Sequence, residues 1–281
     1  MGYETLPNDC LSRLTPVSHH VAELVNLTLN PQQPYSGNSA FAHKAGLHAS
    51  AISRRPDAYE HIDPETIGNG TRFVVSEMAG RSTLELKAND LGIEIDGKVL
   101  GDVVEVLKRL EYEGYHFEVA DASLELLMRG ASGWKQGFFE VESFKVDMNH
   151  IGSGSRAWNE IAVEVDTRAV VDLSVDGKKL VGLGDGNGPV NAIDTALRSV
   201  LIESYPELKD ISLVDYKVRV LDTEKGTGAV TRVLLDSTNG ETVWTTIGVS
   251  ENIIEASWQA LIDSIVYGLL HSPHRDEAQS E

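Results

Sequence analysis

A chain of 281 residues, 41% hydrophobic and 24% charged, suffices for one large or two to three smaller domains, each with a buried core. Its formal charge of −19, from 24 basic and 43 acidic residues, repels a phosphate backbone and speaks against nucleic-acid binding. No apolar run near membrane-span length and no basic-then-apolar leader stand out, so the expectation is a cytoplasmic protein with no membrane role; the lone Cys10 allows no internal disulfide.

In chain order, "DCLSRLTPVSHHVAELVN" predicts a break at Pro16 and then a helix with Val17, Val21, Leu24 and Val25 on one face, a helix that docks on something. "LTLNPQQPYSGN" reads as an extended linker, with a boundary near Gly37. Ser39 to about Ile52 is helix-compatible with Ser39 as N-cap. "RRPDAYEHIDPETIGN" turns repeatedly, "TRFVVSEMAG" is a short β-rich run, and residues 81–130 are mainly helical, with Val99, Val103, Val106, Leu107 and Leu110 at helical spacing.

After Gly133 the character changes to strands: "FFEVESFKVDMNH", "RAWNEIAVEVDT" and "RAVVDLSVDGKKLVGL", then a helix in "GPVNAIDTALRSVLIESY". The order recurs as "ISLVDYKVRVLD", "GAVTRVLLDST", "ETVWTTIGVS" and a helix in "ENIIEASWQALIDSIVYGLL". Gly184, Ala192, Ala196 and Leu197 match Gly248, Ala256, Ala260 and Leu261 at a constant spacing of 64 residues (248 − 184). The fold class is therefore α+β: helical linker subdomains, then a domain of two βββα repeats. The expected divisions are 1–36, 37–90, 91–133, 134–271 and a polar tail 272–281.

Two stretches carry candidate chemistry. In "FAHKAGLHASAISRRPDAYEH", His43 and His48 are five apart, unlike the i, i+4 pair of a metal-binding helix face, so no metal site is expected from them. His48 is the candidate proton carrier, because Gly46 permits close approach and Arg54 and Arg55 offset an anionic ligand. A solvated basic face accounts for the same arginines equally well. Tyr59 is either a second proton carrier or a packing residue, and His19, His20, His43 and His61 read as structural. "GLGDGNGPVNA", Gly182 to Ala192, is either a glycine loop that presents a helix N-terminus to a small amino or keto acid, or a tight turn before a helix. It follows neither the dinucleotide fingerprint nor the P-loop.

The stretches "NSAFAHKAGLHASAISRRPDAYEHIDPETIGN", "RFVVSEMAGRSTL", "EGYHFEVADASLELL" and "GDGNGPVNAIDTAL" resemble the C-terminal half of the α-isopropylmalate synthase and homocitrate synthase superfamily, over nearly the whole chain. The likeness is greatest to members that act on pyruvate. It implies a Claisen-type acyl transfer in which acetyl-CoA is deprotonated, its carbanion attacks the ketone of a 2-oxo acid, and the thioester is hydrolysed. It also implies a divalent metal held by a TIM barrel through an Arg-Asp pair and a His-x-His pair, motifs absent here. Residues 1–36 would then be the end of the barrel and a linker, the metal ligands would lie outside this chain, and the chain alone would be inactive. By motif, His48 and Tyr59 match the histidine and tyrosine that reach acetyl-CoA across a homodimer, with Arg54 and Arg55 placed near the coenzyme by their charge. Residues 134–271 resemble the regulatory, dimerising domain, with isoleucine as effector for pyruvate-using members and leucine for the leucine-pathway enzyme. The pocket would include Gly184, Asp185, Gly186, Asn187, Gly188, Pro189, Asn191 and Ala192, faced by Gly248 to Ala256, whose copy has lost the extra glycines and the proline. The alternatives are a leucine-pathway synthase and a non-catalytic amino-acid-binding module.

Overall fold

The computed structural model describes residues 10–25, 30, 32–37, 39–43, 51–52, 54–55, 57, 59–73, 81–151, 164–221 and 223–272. They belong to two compact units, Met1–Arg109 and Leu110–Glu281.

In the first unit a 3-10 turn at Leu11–Arg13 leads into α1 (Leu14–Leu24). Pro16 does not break the chain as expected: it is the third residue of α1, where a backbone N–H has no intrahelical partner to lose. The docked face is also not the expected one. Thr15 is buried and its Oγ1 donates to the Ile67 carbonyl at 2.9 Å, and His19 Nε2 lies 3.1 Å from the Ser36 carbonyl. Val17, Val21 and Val25 are exposed.

The helix expected to begin at Ser39 does not form there. A turn leads into β1 (Ala42–His43), which pairs in parallel with β2 (Arg72–Phe73). The buried Glu60 explains this: its Oε1 lies 3.1 Å from His43 Nε2 and accepts from Thr71 Oγ1 at 2.7 Å, which draws residue 43 beside the segment before β2. Asp63 caps the 3-10 turn Pro64–Ile67 through the Glu65 N–H, and Gly68 ends it at φ 71°, where a Cβ would strike the Ser12 carbonyl. Beyond it come α2 (Arg81–Asp90) and α3 (Gly97–Glu113), which buries Leu100, Val103 and Leu107 along one face.

The second unit takes in the C-terminal end of α3 from Leu110, then α4 (Asp121–Ala131), and continues with the two βββα repeats that the sequence predicts. The first has β3 (Glu140–Ile151), β4 (Glu164–Val175), β5 (Lys178–Gly186) and α5 (Pro189–Ser204). In the second are β6 (Ser212–Val220), β7 (Thr231–Thr238), β8 (Val243–Ser250) and α6 (Ile253–Leu270). Each sheet is three-stranded and antiparallel with strands in chain order. The stretch "RAWNEIAVEVDT" is not a strand of its own: Glu164–Thr167 run on into β4, and residues 152–163 lie outside the described residues. Asp176 and Gly177, at φ 51° and 76°, make the β4–β5 hairpin, both central residues taking the positive φ that a tight two-residue turn needs.

Both helices pack into one hydrophobic core with the inner faces of the sheets, around Val171, Leu173, Leu197, Leu201, Leu235 and Ile265. By length and composition alone, the 18 residues of α6 could cross a membrane. It is a core helix, with Ala256, Ala260, Leu261, Ile265 and Leu269 buried.

The repeated Gly and Ala positions have a packing cause. A Cβ at Gly182, Gly184 or Gly186 would collide with the α5 backbone between Ala192 and Ala196, and a Cβ at Gly248 with the Ala256 carbonyl. Helix and preceding strand thus meet backbone to backbone at these four glycines, where an added Cβ finds no room. None of these four strand glycines uses a positive φ. Where the second repeat has Thr246 in place of Gly182, the threonine hydroxyl donates to the Ala260 carbonyl at 2.7 Å, and Thr246 is fully buried.

Polar clasps tie α4 to this unit. Ser123 Oγ donates to Asp263 Oδ2 at 2.6 Å and accepts from the Ile247 N–H at 3.1 Å, so one hydroxyl joins α4, α6 and β8. Burial pushes the Asp263 carboxyl up to about 6, against the opposing pull of the Ser123 hydrogen bond. Buried Glu125 contacts Arg129 Nε at 2.7 Å and His271 Nε2 at 3.0 Å. Burial is the largest single influence and raises its pKa, but the hydrogen bonds and positive charges of His271 and Arg129 together outweigh it and the net shift is downward.

Substituting Gly184→Ala is expected to lower stability by about 1–3 kcal/mol, the usual cost of overpacking. Gly188→Ala, in open space on extended backbone (φ −177°), should change it by less than ~0.5 kcal/mol. Urea melts of both variants test this, and an undisturbed Gly184→Ala contradicts the close approach. For Asp263, the unfolded carboxyl loses its proton near 3.8 while the folded one keeps it to about 6, so this group makes stability fall as pH rises between those values and levels off above them. Melts from pH 4 to 7 should show Asp263→Asn lacking roughly 2 kcal/mol of that fall; identical pH profiles would contradict the assignment.

Candidate functional site

Within the second unit, a cavity of about 350 Å³ opens between the two repeats, inside the size range of small-molecule sites. The first two turns of α5 and the turn after supply Val190, Asn191, Asp194 and Arg198 on one side. These recur at helical spacing, so a single face of α5 presents them together. Leu213, Leu235, Leu261 and Ile265 give the cavity an apolar body from β6, β7 and α6.

Its polar groups are few and held in place. Arg198 Nε donates to both Asp194 oxygens at 2.8 and 2.9 Å, and Nη1 donates to the Leu208 carbonyl at 2.6 Å, which fixes the guanidinium at the cavity edge. The Tyr216 hydroxyl lies 2.7 Å from Ser257 Oγ. Ser264 Oγ donates to Ser237 Oγ at 2.7 Å and receives the Trp244 indole N–H at 3.2 Å. A fixed charge pair, three hydroxyls and aliphatic walls suit a small molecule that bears both charges and a branched apolar chain.

The sequence-derived pocket residues fall mostly elsewhere. Asn191 lines the cavity, and its Oδ1 accepts the Asn187 N–H at 3.1 Å. Gly184 and Gly186 are strand positions pressed against α5, Ala192 is buried beneath that helix, and Pro189 is its first residue. Asp185 is exposed on β5, with Arg168 Nε at 2.7 Å, and Gly188 precedes α5 in open space. On the second copy, Gly248 and Ala256 repeat the strand–helix contact and do not line the cavity. The glycine loop is therefore a strand end that packs on a helix. Asp194, Arg198, Tyr216, Ser237 and Ser264 were not anticipated. The only local signal, Asp194 and Arg198 at i, i+4, is common to many solvated helix faces.

Of the other candidates, His48 lies outside the described residues. Tyr59 and Arg54 are exposed, and Arg55 forms a two-bond pair with Asp57 at 2.9 and 3.1 Å. His61 packs its ring near Tyr35 and Phe41, with centroids 5.6 and 6.3 Å away. Among the described residues no three His, Cys, Asp or Glu side chains converge as metal ligands. The donor set that a divalent metal requires is not found among them.

Comparison with known proteins gives these observations a family. Residues 36–114 match the homocitrate synthase post-HMGL domain-like family, and residues 118–269 match the LeuA allosteric (dimerisation) domain. The chain is 50% identical over 274 residues to the (R)-citramalate synthase of Streptomyces coelicolor, covering 96% of this chain and 50% of that protein. It is 46% identical over 272 residues to the (R)-citramalate synthase of Aquifex aeolicus, again 96% and 50%. With the enzyme of that name from Sulfolobus acidocaldarius it shares 39% over 264 residues, 93% and 47%. The chain spans about half the length of these curated relatives. A match across both repeats and the α4 helix that clasps them, more than half of all residues, means that the chain belongs to the LeuA allosteric (dimerisation) domain family.

Proposed function

We propose that the chain works as part of an (R)-citramalate synthase, which condenses acetyl-CoA with pyruvate, and that its repeat domain carries the feedback control. The observation that supports this best is the 39–50% identity to (R)-citramalate synthases along 93–96% of the chain. Residues 37–90 then form the accessory catalytic subdomain, 91–133 a helical connection, and 134–271 the regulatory, dimerising domain. In this reading His48 moves a proton near acetyl-CoA and Tyr59 positions substrate or water, both drawn from sequence likeness. The divalent metal and the remaining catalytic groups are assigned to the barrel that the resemblance implies, whose Arg-Asp and His-x-His motifs do not occur in these 281 residues, and catalysis proceeds in a cytoplasmic homodimer.

The cavity between the repeats takes the effector. Its apolar body fits the branched side chain of isoleucine, while the Asp194 and Arg198 charges and the Tyr216 hydroxyl meet the ammonium and carboxylate. Binding there biases the catalytic part by a coupling free energy between two separate sites. Leucine in the same place would mark the leucine-pathway enzyme instead.

Calorimetric titration of the 281-residue chain should show isoleucine binding in preference to leucine and valine. Asp194→Ala should weaken it about tenfold or more, the worth of one charge-assisted hydrogen bond. Preference for leucine, or an unaltered affinity in the variant, would overturn the effector assignment. Joined to a barrel-bearing half from a relative, the chain should support citramalate formation, and His48→Ala should cut kcat by about a hundredfold. An unchanged rate removes the role given to His48.

A further inference from the structure

The two repeats can be aligned residue by residue through their strand pairings. Both first strands carry a register shift at the same place, between Val141 and Ser143 in β3 and between Leu213 and Asp215 in β6. One residue past each shift, Phe144 pairs with Val171 and Tyr216 pairs with Leu235. Two residues further along β4 and β7, Leu173 pairs with Val141 and Ser237 with Leu213. On the helices, the spacing set by Gly184 and Gly248 makes Asp194 the counterpart of Trp258, Arg198 of Ile262, and Ser264 of Val200.

Carried across this alignment, every polar group that marks the cavity, apart from Asn191, becomes apolar. Asp194 gives way to Trp258, Arg198 to Ile262, Tyr216 to Phe144, Ser237 to Leu173, and Ser264 to Val200. Asn191 has Glu255 as its counterpart. The five apolar residues all belong to the core or pack directly on it. The Phe144 and Trp258 rings stack with centroids 4.4 Å apart and planes 21° apart, joining the positions that Tyr216 and Asp194 occupy around the cavity. A Trp on a Phe fills far more volume than an Asp beside a Tyr, and close-packed interiors leave no room for a ligand where such a pair lies.

We propose that the repeat domain holds one small-molecule site per chain, and that Phe144 and Trp258 are a built-in plug filling the equivalent second position. This rests on the reading of the cavity as an amino-acid site for the ligand's identity, while the plug itself rests only on packing. The duplicated fold has divided its two inter-repeat positions. One keeps charges and hydroxyls for recognition, and the other has become hydrophobic core that stabilises the first. Sites created by duplication need no such division, so the plug makes ligand occupancy per chain a definite number.

Two measurements on the 281-residue chain test this. Isoleucine titration of the unaltered chain should saturate at one per chain, and two per chain would overturn the proposal. Trp258→Gly should lower the melting temperature by on the order of 10 °C, as expected for losing a large core side chain, and millimolar indole should restore much of it by occupying the vacated space. The unaltered chain should not respond to indole. If Trp258→Gly fails to fold, Trp258→Ala, which restores helix propensity and still leaves room for the indole ring, serves in the same assay. A Trp258 variant that melts like the parent, or ignores indole, would show that the ring fills no such volume. Absence of any isoleucine binding would remove the amino-acid reading of the cavity, with the indole result still deciding the plug.

Discussion

The second unit is organised by one steric condition: each long helix must touch the strand before it at backbone distance. Gly182, Gly184 and Gly186 meet the Ala192–Ala196 stretch of α5, and Gly248 meets Ala256 on α6. With the helices this low on their sheets, Leu197, Leu201, Leu261 and Ile265 reach a common core, and the two repeats share it. The same descent leaves one flank of α5 turned toward β6, β7 and α6, and that flank carries Asn191, Asp194 and Arg198. The glycines therefore create the site by lowering a helix, without contributing to its lining.

The two repeats share a fold but are unequal copies. The strand–helix contact is kept in both, by glycine in one and in the other by Gly248 with the Thr246 hydroxyl bonded to the Ala260 carbonyl. What has changed is the chemistry between repeats, where hydroxyls and charges remain on one side and rings and aliphatics fill the other. The clasp of Ser123 with Asp263 and Ile247, and of Glu125 with Arg129 and His271, gives α4 a polar attachment to this core.

Much of this architecture was legible from local pattern. The alternating strands, the Asp-Gly hairpin at 176–177 and the recurring Gly and Ala positions announced two βββα repeats, because period-2 alternation and turn chemistry act at short range. The failures share a cause in long-range contacts. Pro16 was read as a break because its fit within the first turn of α1 depends on where the helix starts, and Ser39–His43 was read as helix because the pull of Glu60 on His43 comes from seventeen residues away. The glycine-rich stretch reads equally as a ligand loop or as a tight turn before a helix, since glycine signals close approach without saying what approaches. The cavity itself joins four elements of two repeats, and no single stretch of sequence carries such a pattern.

The central claim is that the ligand enters between the repeats on the flank of α5 and not at the glycine-rich strand end. Amide hydrogen exchange of the 281-residue chain, with and without saturating isoleucine, tests it most directly. The account predicts added protection in residues 190–198 and around Tyr216, with none at residues 254–258, the α6 counterparts of 190–194 that lie outside the cavity lining. Protection confined to Gly182–Gly188, or equal protection of both helices, would contradict it.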